Sequence, residues 1–110
     1  MIPRHQVTLT RLAEADFFKI IRWTADQFGA QHARYYSDTI RHAVIALEAG
    51  HPIDGRQRSE LGHNVVTLHV ARQGRKGRHL LVFRVDEQTS SIEVLRILHD
   101  SMGFERYLEQ

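Results

Sequence analysis

The chain has 110 residues, 42% hydrophobic and 25% charged, with a formal net charge of +2. That is the composition of one ordinary soluble domain. It has no cysteine, which excludes a disulfide framework and a thiolate zinc site and suits a reducing cytoplasm. The start of the chain has no apolar segment of signal-peptide type, and its longest apolar run, residues 43–47, is too short to span a bilayer.

Residues 7–10 alternate and read as a short first strand. From Leu12 the period changes. Phe17, Ile20, Ile21, Thr24 and Phe28 recur at steps of three and four, as one face of a helix does. Glu14 and Asp16 sit in its first turn, where they suit the helix dipole, and Gly29 is its terminator. A second helix follows over about residues 30–49, with Ala33, Tyr36, Ile40, Ala43, Val44 and Leu47 as its apolar stripe. Gly50 and Pro52 stop it. The link between the helices is so short that they must pack as an antiparallel hairpin. Phe18, Trp23 and Tyr35 do not fit either stripe and leave apolar surface outside the core, for a sheet edge or a partner.

Residues 50–56 carry turn chemistry. Residues 64–72 alternate as a strand, and 73–77 form a flexible basic hairpin loop with two glycines. Two β-branched runs follow, 79–86 and 91–99, separated by four polar residues, which is a hairpin signature. Met102, Phe104, Tyr107 and Leu108 suit a short C-terminal helix or tail. The order is β-α-α-β-β-β. It predicts a single α+β domain, with a helical hairpin packed on a small antiparallel sheet and the first strand added at an edge.

Charge is unevenly placed. Residues 61–85 contain no Asp or Glu but hold Arg72, Arg75, Lys76, Arg78 and Arg84. Such a block attracts an acidic partner or a phosphate backbone, or simply keeps a loop solvated. No phosphate-cradling glycine loop or HExxH pair is present, and the eight histidines are scattered, so neither a metal nor a cofactor is expected. Ser101, His99 and Asp100 are consecutive and cannot fold onto one another as a triad. One constellation remains. Arg84 and Arg96 each interrupt an apolar strand, and strand register decides whether they meet. If they do, they form with His99 and Tyr107 a cationic pocket suited to phosphate and to metal-independent RNA cleavage. If they do not, they pair with Asp86, Glu93 or Asp100 and pin the tail to the sheet. On either reading Arg96, in a strand, should matter more than Arg75, in a mobile loop.

Three stretches carry a family likeness: Pro52-Ile53-Asp54-Gly55-Arg56 with Glu60-Leu61; Phe83-Arg84-Val85-Asp86; and Ile92-Glu93-Val94-Leu95-Arg96-Ile97-Leu98-His99-Asp100-Ser101-Met102. With them the chain resembles the RelE/ParE superfamily of bacterial type II toxins, and its ParE branch in particular, over nearly its whole length. The resemblance implies a small cytoplasmic toxin in a hetero-oligomer with a cognate antitoxin, of the kind that serves plasmid stabilisation. ParE-like toxins inhibit DNA gyrase, whereas RelE-like relatives cleave mRNA on the ribosome. The run from Arg96 to Met102, Leu108 near the end and only two lysines favour the gyrase branch. Arg84, Arg96, His99 and Met102 are then the candidates for target contact, and Arg84, Arg96, His99 and Tyr107 the candidates for catalysis in a ribonuclease. A third reading is an inactive toxin kept as an interaction module. Gly103 departs from the acidic residue common in that family position. Antitoxin contact is expected at Phe18, Trp23 and Tyr35 and at the basic residues Arg72, Arg75 and Arg78.

Overall fold

The computed structural model describes residues 5–49 and 55–101. Strand β1 (Gln6–Leu9) leads into helix α1 (Arg11–Phe28), helix α2 (Ala30–Leu47), strand β2 (Arg56–Gln57), a single 3-10 turn (Ser59–Leu61), and strands β3 (Val65–His69), β4 (His79–Asp86) and β5 (Ser91–His99). The sheet order is β1-β5-β4-β3-β2. Pairing is antiparallel from β2 to β5, and β1 adds at the far edge parallel to β5. Direction counting explains the parallel edge. The helical hairpin returns the chain so that β2 opposes β1, and three further reversals leave β5 aligned with it. The expected two-layer fold is therefore present, with a mixed sheet.

Thr10 ties the start of α1 to the sheet. Its hydroxyl accepts the Ala13 N–H (3.1 Å) and donates to the Leu95 carbonyl (2.8 Å), so one side chain caps the helix and satisfies the strand edge. Gly29, with φ 96°, ends α1 and begins α2. Only glycine takes that conformation without strain, which is why the hairpin joint is a single residue.

The core lies between helices and sheet. Ala13, Ile40, Ala43 and Leu47 meet Leu68, Leu81, Phe83, Ile92 and Val94. Val65, Val82 and Leu98 form a second cluster with Leu61, Leu80 and Leu95, on the other side of the sheet as strand alternation requires. Two expectations shift. The strand expected over 64–72 stops at His69, and the two-residue β2 is too short to show a period. The loop that follows is docked rather than loose: Arg75 donates to Thr39 Oγ1 (2.9 Å) and the Tyr35 carbonyl (3.1 Å), and lies 4.2 Å over the Tyr35 ring. The C-terminal helix expected from residues 102–110 lies outside the described residues.

Candidate functional site

Register separates the two strand arginines. Val82 pairs with Arg96 and Phe83 with Val94, leaving Leu95 as a bulge. A bulge breaks strict alternation: Ile97 joins the core under the helices, while Arg96, paired with Val82, sends its guanidinium to α1. Arg96 Nε and Nη2 donate to the two carboxylate oxygens of Asp16 on α1, at 2.8 and 2.9 Å. Arg84 lies opposite Glu93 in register and is exposed. Asp86, the partner weighed for it, instead accepts the N–H groups of Gln88 and Thr89 in the β4–β5 turn. The two guanidinium groups thus go to different elements, Arg96 to Asp16 of α1 and Arg84 towards Gly62 before β3. Met102 and Tyr107 lie outside the described residues.

His99 is placed elsewhere, at the end of the sheet beside His79. The two rings stand edge to face, 5.3 Å apart, as the cross-strand pairing of β4 and β5 dictates. Tyr36 of α2 closes on them from above. Its hydroxyl lies 2.6 Å from His79 Nδ1 and accepts the Arg78 N–H at 3.1 Å. With the Tyr36 hydroxyl donating to His79 Nδ1, the imidazole carries its proton on Nε2. Burial, with His99 adding to it, lowers the His79 pKa to about 4, so the ring is neutral at pH 7. Burial likewise raises the Tyr36 phenol.

Behind this pair sits Asp100. Arg78 Nε contacts both its oxygens at 3.1 Å and His69 Nε2 donates at 2.9 Å. These two bonds hold its pKa down to about 2. His69 Nδ1 accepts the Ala71 N–H and His99 Nδ1 the Ser101 N–H. Like His79, both rings then carry their proton on Nε2.

His79 and His99 floor a groove of about 780 Å³ between the helical hairpin and the β3–β4 loop. Its walls are Trp23 of α1 and Phe28, Tyr35 and His32 at the hairpin joint and on α2. Trp23 is 58% exposed, Phe28 59% and Tyr35 53%, so three large aromatics stand open around one cavity. Lys19, Lys76 and Arg78 bring cationic ends to it. Gly77 lets the loop approach: a Cβ there would lie 2.6 Å from Val70 Cγ2 and 3.0 Å from the Tyr36 ring.

Of the residues expected to meet an antitoxin, Trp23, Tyr35 and Arg78 line this groove, and Arg75 braces its loop. Phe18 is exposed but lies outside it, against Phe17, and Arg72 starts the loop. Sequence reasoning missed Tyr36, His79, His69 and Asp100. Choosing the hairpin register that puts His79 opposite His99 would have found the pair. Among the described residues no group of three or more ligating side chains could hold a metal, and no helix is long and apolar enough to cross a membrane.

With this geometry described, the chain can be compared with known proteins. Residues 7–104 match the family described as the ParE toxin of type II toxin-antitoxin system, parDE. A solved structure titled "Chromosomal ParDE TA system from P. aeruginosa" is similar at 25% identity and TM-score 0.68, covering 87% of this chain and 96% of that one. The RelBE2 toxin-antitoxin complex from Mycobacterium tuberculosis is similar in fold, at 18% identity and TM-score 0.60, covering 87% of this chain and 98% of that one. Comparison with curated protein sequences gives no match.

Proposed function

This chain belongs to the ParE toxin family of type II toxin-antitoxin systems, and on that premise we propose that it inhibits DNA gyrase in the cytoplasm and is silenced by a cognate antitoxin seated in the aromatic groove. What supports an antitoxin partner is that both similar structures are of toxin-antitoxin systems. What supports the groove is three half-exposed aromatics ringed by cations, since exposed apolar patches of that kind mark interaction sites.

The observation that carries inhibition over RNA cleavage is the fate of Arg96. Its guanidinium is bound through two nitrogens to Asp16, and the Arg96 and Asp16 side chains are only 14% and 12% exposed. Such an arginine braces the fold and is poorly placed to stabilise a phosphorane. The Arg84 guanidinium is directed elsewhere, towards Gly62. On this reading the toxin acts by binding its target, with Arg84 and His99 the remaining described candidates for that contact.

Ribosome-dependent mRNA cleavage is the alternative, and one observation favours it: two imidazoles lie 5.3 Å apart beside Arg78 and Lys76, and paired imidazoles can exchange protons with a ribose hydroxyl. A paired assay separates the two. The purified chain is titrated into a gyrase supercoiling reaction and into a translating extract, each with and without antitoxin. Loss of supercoiled product, restored by antitoxin, with mRNA intact is expected. Codon-phased cuts in mRNA with supercoiling unaffected would overturn the gyrase reading.

A further inference from the structure

We propose that the groove's floor receives a carboxylate of the antitoxin against His79, and that His79 takes a proton from solvent as that carboxylate seats. The inference rests on the groove being the antitoxin's seat, and it adds the chemistry of the contact and its dependence on pH.

The charge around the groove is one-sided. Lys19, Lys76 and Arg78 line it, with His32, His79 and His99, and among the described residues no Asp or Glu does. An occupant that covers the aromatics must therefore bring acidic side chains to complement the rim.

His79 is where such a side chain has the most effect. From α2 it faces Tyr36, from β5 His99, and from the adjoining loop Arg78. His69 on β3, Asp100 after β5 and Asp16 on α1 act on it at longer range. Both of those carboxylates are already committed, Asp16 to Arg96 and Asp100 to Arg78 and His69. The neutral state of His79 follows from burial without a free counter-charge. A carboxylate entering the groove supplies that counter-charge and favours the imidazolium.

The hydrogen bonds allow the change at His79. When Nδ1 of His79 gains a proton, the Tyr36 hydroxyl can accept from it while still accepting the Arg78 N–H, because a phenol oxygen has two lone pairs. Its own hydrogen is then released as a second donor for the incoming carboxylate, beside Nε2–H of His79. His99 Nδ1 is engaged by Ser101 instead, through its N–H at 3.2 Å and its hydroxyl at 2.7 Å. His79, partly buried on the groove floor with the Tyr36 hydroxyl on its Nδ1, is the proton site.

Calorimetry of toxin with antitoxin, run at matched pH in two buffers of different ionisation enthalpy, reads the protons taken up. Between about pH 8 and about pH 5.5 the wild type is expected to take up a growing fraction of one proton. Association should strengthen by up to about tenfold per pH unit below the complexed imidazole's pKa. His79→Gln, which can still accept from Tyr36, should bind with no such uptake, and His99→Gln should retain it. In the wild type, ring NMR should show the His79 pKa rising from about 4 when the antitoxin is bound, a readout that needs no variant. Equal proton uptake by wild type and His79→Gln would overturn the proposal, as would an unmoved His79 pKa. Trp23→Ala separates the two levels. If it weakens binding while the wild type takes up no proton, the groove is the seat and the carboxylate contact is wrong; if it leaves affinity unchanged, both fall.

Discussion

Asp16 holds Arg96 and the strand that carries it with the same carboxylate. Oδ1 and Oδ2 accept from the Arg96 guanidinium at 2.9 and 2.8 Å, and Oδ2 also accepts the Ile97 N–H at 3.0 Å. The β1 strand ends at Leu9, so among the described residues β5 has no strand on that edge beyond Val94. Thr10 and Asp16, one helical stretch, replace the missing strand by satisfying the Leu95 carbonyl and the Ile97 N–H.

Removing that carboxylate takes the Asp16 contact from a largely buried guanidinium and from a backbone donor. Asp16→Ala is expected to cost about 3–5 kcal/mol in urea unfolding, and Asp16→Asn less, because the amide oxygen can still accept from Ile97. Arg96→Ala should destabilise too, and the double variant should lose less than the sum by about 1–3 kcal/mol. Toxicity of Arg96→Ala should fall in step with its folded fraction. Full stability with lost toxicity would mean instead that Arg96 touches the target.

Arg75 is expected to behave as a brace. It bonds Thr39, which is fully buried, and stacks on Tyr35. Arg75→Ala should cost about 1–2 kcal/mol and raise amide exchange across residues 72–78. Unchanged exchange would show that the loop holds itself.

Gly77 is expected to reject any side chain. A Cβ would lie 2.6 Å from Val70 Cγ2 and 3.0 Å from Tyr36, so Gly77→Ala should cost about 1–3 kcal/mol as overpacking does. It should also shift the Tyr36 ring signals, since Tyr36 must move.

The free toxin should weaken in mild acid. His79 has a folded pKa of about 4, below the unfolded value of about 6.5. Between those values the unfolded chain binds more protons, so stability falls as pH falls, by up to about 3 kcal/mol in total. His79→Gln should flatten that window. Asp100, lowered to about 2, acts later: its contribution is present above about pH 4 and is lost below it.

The sheet was legible because residues 79–86 and 91–99 are two apolar, β-branched runs either side of a short polar link, and the hairpin because Gly29 punctuates two helical periods. The site was less so. Arg96 and Asp16 are 80 residues apart in sequence, and the bulge at Leu95 beside the arginine leaves no trace in composition. Tyr36 reads as a stripe residue, yet its hydroxyl is what organises His79. Trp23 and Tyr35 were readable as surplus because they break the stripe. That they share one cavity with His79 and His99 depends on how the loop docks, and Arg75 and Gly77 decide that only in three dimensions.

Trp23 is the chain's only tryptophan and stands 58% exposed on the groove wall, so its fluorescence reports directly on whether the antitoxin sits there. Titrating antitoxin into the toxin, with emission corrected for any tryptophan the antitoxin brings, is expected to shift the Trp23 spectrum to the blue and shield it from iodide in proportion to complex formed. A complex that forms while Trp23 keeps the emission and quenching of the free toxin would contradict the account.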